Sequence, residues 1–289
     1  MRDNKGYVLV IVMLILAVTT AAVVHFAGTV YGYVNTANNF NESERMALLL
    51  KSAYLLTAEK ALDLSSQVSF SDQRVMSLEE KIEDTTVVLL LEDNNSKFNL
   101  NLLGSNNPVL SEAGLTIFRR LLRELKISED HADRLADYID ADKIPRLPGG
   151  EETAKNQLLF SLSELGYILP DDVVKAVLPY VTVFGSDKIT ININTADLPL
   201  LKALHPEISE SLAKRIIEMR ESKPFEKPAD LLKVPGMEKI GYHISDIMTV
   251  KSTSFTVAIK AERNDLTETA EAGFDLSGGR ALLKYWRER

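Results

Sequence analysis

The run Tyr7 to Ala27, YVLVIVMLILAVTTAAVVHFA, decides how the chain is read. It supplies the roughly 20 consecutive apolar residues that a bilayer-spanning helix needs. No Asp, Glu, Lys or Arg occurs from Tyr7 as far as Asn41. Arg2 and Lys5 stand ahead of the run, and Glu42 and Glu44 follow it. The positive-inside bias then predicts a cytoplasmic amino terminus, with the chain beyond about residue 30 exported. From Glu42 to Leu64 the residues Met46, Leu49, Leu50, Ala53, Leu56, Ala61 and Leu64 keep close to helical spacing, and no proline intervenes. This predicts one continuous helix, half in lipid and half in water. The competing readings are a simple anchor and a cleavable secretory signal. The latter has an apolar region of only about 7 to 15 residues before a small-x-small site, whereas this run is longer and flows on without a turn.

Working outward, 289 residues with 45% hydrophobic and 26% charged positions exclude a disordered chain and allow roughly two domains. The 33 basic and 41 acidic residues leave a net charge of -8, which removes the general electrostatic drive for nucleic-acid binding. The absence of cysteine excludes disulfides, thiolate metal sites and cysteine nucleophiles.

After the helix, TTVVLLLED (Thr85 to Asp93) reads as a strand, with Asn94-Asn95 as a turn into KFNLN. SFTVAIKAE, LTETAEAGFDL and RALLKYWRER, separated by turn residues, predict an antiparallel meander. In the last of these, Ala281, Leu283 and Tyr285 are expected on one face and Leu282, Lys284 and Trp286 on the other. Between the strand groups the pattern is mostly helical and repeats itself. LLRELKISEDHADRLADYIDAD (Leu121 to Asp142) aligns with LLKALHPEISESLAKRIIEMRES (Leu200 to Ser222), and each copy follows an Asn-rich lead, FNLN or ININTA.

The densest acidic cluster closes the first copy: Asp137, Asp140 and Asp142, then IPRLPGG, then Glu151-Glu152. Alternate carboxylates around a glycine-containing loop suit a hard cation such as calcium, although the spacing is not that of an EF-hand. The other reading is a helix end whose acids are solvated. His25, His131, His205 and His243 are scattered, and no HExxH, GxSxG, Walker or dinucleotide fingerprint appears, so no enzyme is expected.

The leader MRDNKG and its junction KG-YVLVIVML resemble the signal of type IV pilins and type II secretion pseudopilins. That resemblance implies cleavage by a prepilin peptidase between Gly6 and Tyr7 and methylation of Tyr7, which stands where the family usually has Phe. Most of the family carries Glu at the fifth residue after the cut, and this chain has Ile11. The missing Glu, the helical insertion, the acidic loop and the final KYWRER resemble minor pseudopilin K of type II secretion along nearly the whole chain. The implied fold class is α+β: a long N-terminal transmembrane helix packed on an antiparallel sheet, the pseudopilin fold, with a large inserted helical region. The implied organisation is a leader over residues 1–6, a helix over 7–65 (transmembrane over 7–27), and a sheet over 82–102 and 250–289. An inserted lobe with the acidic loop spans 103–185, and a second, SAM-like lobe spans 186–249.

The resemblance further implies a tip subunit partnered by minor pseudopilins I and J. It would be held in the inner membrane with its bulk periplasmic, and would support pseudopilus assembly and contact secreted proteins. Calcium is expected with it, and among the acids the family pattern matches Asp140, Asp142 and Glu152 better than Glu151, where Ala is usual. The second lobe also resembles the helix-hairpin-helix modules that bind DNA phosphates, which keeps a membrane-anchored DNA receptor as the alternative. Against it, the hairpin His205 to Ser209 has no glycine, and Thr195 to Lys251 holds nine basic and nine acidic residues, so no nucleic acid is expected.

Overall fold

The computed structural model describes residues 5–65, 72–264 and 266–288. Most of the proposed leader, residues 1–4, lies outside them. The chain divides into two compact units, residues 1–49 and 50–289. One helix, α1 (Lys5–Leu64), begins in the first and ends in the second, as the unbroken apolar and amphipathic pattern predicts. In the first unit the side chains from Tyr7 to Asn41 are exposed, so an apolar cylinder without charge is left for another medium to cover.

The second unit opens with the last turns of α1. Leu50, Ala53, Tyr54, Ala58 and Ala61 line one buried stripe. This stripe faces a five-stranded antiparallel sheet in the order β1-β2-β7-β8-β9. Its strands are β1 (Val75–Ile82), β2 (Thr85–Asp93), β7 (Ser254–Arg263), β8 (Leu266–Ser277) and β9 (Arg280–Glu288). Tyr54 packs edge-on against Phe274 at 5.9 Å and Trp286 at 5.7 Å, while Phe255 stacks on Phe274 at 5.6 Å. These aromatics bind helix and sheet by apolar area and ring geometry together.

Three expectations about the sheet need correction. It has a strand, β1, that the sequence pattern did not announce, so it starts at Val75 rather than at residue 82. It does not extend to residue 102, because Phe98–Asn99 forms a separate short strand, β3, paired in parallel with β4 (Val181–Thr182). A register shift between Gly273 and Phe274 leaves Lys284 as an extra residue in β9. Leu283, opposite Phe274, and Trp286, opposite Ala272, consequently share the helix-facing side, and Tyr285 turns to the other face. There Tyr285 meets Phe184 at 5.7 Å, over Gly273, where a Cβ would come within 2.9 Å of the Phe184 ring.

The inserted helical region has one continuous apolar core, running from Phe98 to Val250. Its helices are α2 (Pro108–Glu124), α3 (Asp130–Ile139), α4 (Asp171–Val177), α5 (Leu198–Leu204), α6 (Glu210–Ser222) and α7 (Ile240–Ile244). The repeat read from the sequence is real and longer than the aligned segments. The parallel pair β3-β4 is matched by β5 (Ile191–Asn192) with β6 (Met248–Thr249). Asn101 exchanges two hydrogen bonds with the backbone of Leu159, at 3.0 and 2.7 Å, and Asn194 does the same with Phe225, at 3.0 and 2.9 Å. Glu164 then accepts from the amides of Phe160 and Ser161 as Asp230 accepts from those of Glu226 and Lys227. Between these landmarks the second lobe needs only residues 223–224 after α6, whereas the first carries residues 140–158 after α3.

Asp93, at the end of β2, ties the sheet to the lobes. It is fully buried and accepts from Asn95 N at 2.7 Å, Asn192 Nδ2 at 3.0 Å and Thr195 Oγ1 at 2.6 Å. Burial pushes its carboxyl above the usual range, against the lowering effect of these donors. Replacing it by alanine strands several buried donors, each costing roughly 1–3 kcal/mol. Asp93→Ala is expected to lose about 3 kcal/mol or more in urea unfolding of the detergent-solubilised chain. An unchanged midpoint would show that the contacts of Asp93 are dispensable.

Candidate metal centre

The loop after α3 is built around Asp137, whose exposure is 0%. Its two oxygens accept from Arg146 N at 3.0 and 3.1 Å, Arg146 Nη1 at 3.1 Å and Leu147 N at 3.3 Å. Gly150 presses on the same carboxylate so closely that an added Cβ would lie 1.9 Å from Oδ2. Asp137 thus folds the loop back on the helix and has no oxygen facing outward to a ligand. At the loop's far end the Lys155 and Asn156 amides both donate to the Tyr138 carbonyl at 3.0 Å, and Lys155 pairs with Glu164 at 2.6 Å.

Inside this frame Asp140, Asp142 and Glu151 each bring a carboxylate oxygen within 4.8 Å of the others. Arg146 also pairs with Asp140 through Oδ2, which leaves Asp140 Oδ1 buried without a partner. Both carboxylate oxygens of Glu151 are likewise shielded and unpartnered. Asp142 is exposed and accepts from Ile144 N at 2.8 Å. Asn156, with a left-handed φ of 54°, donates its side-chain amide to the carbonyls of Asp140 at 2.8 Å and Asp142 at 3.2 Å. Glu152 is exposed beside Gly149 and stays outside the group.

The electrostatics match the geometry. Burial raises the Asp140 carboxyl above its ordinary value; Arg146 pulls it down, and Asp142 and Asp137 push it up again. Glu151 is raised by desolvation and by its three acidic neighbours, Asp140, Asp137 and Asp142. Arg146 is the single cation paired within the cluster among the described residues, and Lys143 is exposed. Orphaned carboxylate oxygens without imidazole or thiolate form a donor set for a hard cation rather than for zinc or copper. Of the five acids singled out in the sequence, then, Asp140, Asp142 and Glu151 converge, Asp137 is the loop's internal anchor, and Glu152 stands apart. Nothing in the pattern distinguished Glu151 from Glu152, and Asn156 gave no signal.

The second lobe lacks an open anion cradle at its hairpins. Glu207 N in the first hairpin donates to His205 Nδ1 at 3.3 Å, and Ser209 caps α6 at Leu212 N. At the later turn Gly236 N is taken by the carboxylate of Glu238, at 3.0 and 3.2 Å. Arg220, pushed down to about 10 by burial, spends its guanidinium on the carbonyls of Ile193 and Ala196. His131 is half-buried in α3, and His25 is exposed on α1.

The helix from Tyr7 onward contains an 18-residue window of mean hydropathy 2.8, long and apolar enough to cross a membrane. Family models match both lobes: residues 191–250 fit the model for type II secretion system protein K, and residues 96–186 fit the model for that protein's first domain. The chain is 29% identical to type II secretion system protein K of Pectobacterium carotovorum over 75% of each chain. It is 24% identical to that of Aeromonas hydrophila over 94% of this chain and 93% of the relative. Among solved structures, it is similar in fold to a chain in the crystal structure of the GspK-GspI-GspJ complex from enterotoxigenic Escherichia coli. The TM-score is 0.70 at 18% identity, covering 87% of this chain and 99% of that one. The two lobes, the apolar helix and the sheet are thus those of a minor pseudopilin, and the chain belongs to the type II secretion system protein K family.

Proposed function

We propose that this minor pseudopilin sits at the tip of the periplasmic pseudopilus. There it joins minor pseudopilins I and J, starts pseudopilus assembly and supports export of folded proteins, without catalysing a reaction. The observation that carries this reading is Ile11. A carboxylate at that depth costs on the order of 2.5 kcal/mol unless a neighbour compensates it, and an apolar residue requires no subunit above it. The apolar helix supports a single pass through the inner membrane, and Arg2 and Lys5 favour a cytoplasmic amino terminus. The DNA-receptor alternative is not favoured, because the hairpin amides described above are already engaged. Co-expression with pseudopilins I and J tests the assignment: a stable ternary complex is expected, and failure of the three to co-purify overturns it.

In this reading a prepilin peptidase cuts between Gly6 and Tyr7, and Tyr7 is methylated. Mass spectrometry of the membrane-extracted protein is expected to show loss of residues 1–6 and gain of one methyl group. An intact amino terminus in cells that process other prepilins refutes the processing.

Calcium is the proposed occupant of the acidic loop, held by Asp140, Asp142 and Glu151, with Asp137 and Arg146 shaping the loop. A bound ion would supply the positive charge that these carboxylates lack and pin α3 to the loop. Millimolar calcium on a micromolar site stabilises the folded form by about 4 kcal/mol. The melting temperature is expected to rise with calcium in the wild type but not in Asp140→Ala/Asp142→Ala. A wild-type curve indifferent to chelator means that the acids are only solvated surface charge.

A further inference from the structure

His205 and His243 take no part in the proposed function, yet they are placed together. His205 lies just beyond α5, and His243 belongs to α7. Their rings stack 5.8 Å apart with planes 16° from parallel. The Nδ1 of His205 accepts from Glu207 N at 3.3 Å, so the neutral ring carries its proton on Nε2. Arg120 reaches across from α2 in the first lobe and donates Nη1 to the Leu204 carbonyl at 3.3 Å, one residue before His205. The same seam between α2 and α5 holds the ion pair of Glu124 with Lys202.

The charged and titratable groups facing His205 are therefore Arg120 from α2, His243 from α7 and Glu207 from its own turn. Burial holds the His205 imidazole below its ordinary value; Glu207 works against this, and Arg120 and His243 reinforce it. Protonation would also turn Nδ1 from acceptor into donor, set against the Glu207 N–H, and would add an imidazolium near the Arg120 guanidinium.

We propose that His205, stacked on His243, forms an acid-sensitive latch on the seam where α2 of the first lobe meets α5 of the second, closed while the His205 ring is neutral and loosened when it charges. The sign follows from linkage. A histidine whose folded value is depressed binds fewer protons folded than unfolded. Its contribution is complete above the ordinary value of about 6.5 and is lost as pH falls through it toward the lowered one. The loosening is local to α5, the turn after it and the start of α6.

Amide hydrogen exchange on the full chain in detergent, normalised for intrinsic rates, tests this at about pH 7.5 and about pH 5.5, on either side of the histidine range. In the wild type, protection across residues 198–212 is expected to fall severalfold at the lower pH, because the opened segment binds the proton more tightly than the closed one. His205→Gln keeps a side-chain acceptor without titrating and is expected to hold its protection at both values. His243→Gln changes an exposed residue, removes a neighbour that helps to hold His205 down and is expected to show a smaller fall than the wild type. Unchanged wild-type protection overturns the latch, as does a full wild-type fall in His205→Gln. Should His205→Gln not fold at the higher pH, His243→Gln decides, and a full wild-type fall in it overturns the latch.

Discussion

A carboxylate shut away from water must be answered by donors, and in this protein the answer organises the chain. Asp93 draws Asn192 and Thr195 from the second lobe to the end of a sheet strand. Its neighbour Asn95 accepts from the amides of Thr253 and Ser254 at 2.8 and 3.1 Å and donates to Thr190. Three segments far apart in sequence thus meet at one buried polar knot. An apolar plug could fill the space, but it would not dictate direction. A network whose members each have few ways of being satisfied fixes how the lobes leave the sheet. Arg74 adds a second tie just before β1, pairing with Asp197 and reaching the Pro179 carbonyl. Sheet and lobes are accordingly joined through hydrogen bonds of defined geometry as well as through apolar contact.

The parts of the fold legible in the sequence are those where one signal acts alone. α1 has neither proline nor charge to argue against its apolar run. The turn from β8 to β9 has two consecutive glycines, Gly278 and Gly279, at φ 59° and 71°, the conformation a tight two-residue hairpin requires. β1 was invisible for a physical reason: as an edge strand it is mostly exposed, so VMSLEEKI shows no alternation, and its turn is made by Glu83 in a left-handed conformation that only coordinates reveal. The KFNLN segment misled because its strand-like composition serves a two-residue parallel pairing and then a tight 3-10 turn capped by Asn99. The bulge at Lys284 likewise lies beside the close approach of Phe184 to Gly273, a tertiary setting that local pattern does not contain.

At the acidic loop, sequence spacing located the cluster of acids, but it could not assign their roles. Asp137 resembles its neighbours in type, yet its oxygens are consumed by Arg146 and Leu147. Glu151 and Glu152 are adjacent and identical, and only the short 3-10 turn starting at Gly150 decides which of them points inward. Asn156 closes the site from the far side of a loop whose length hides the pairing.

The twin lobes supply a comparison within one molecule. The second copy completes the same arrangement of parallel strand pair, asparagine pin and amide-binding acid with almost no chain between α6 and Phe225. The architecture therefore does not require the long excursion of the first copy. That excursion crowds acids, exposes Ile144 and Leu158, and takes an arginine to restrain it. It is an ornament on a complete domain, and its sequence is free to be shaped by demands other than that of holding the fold together.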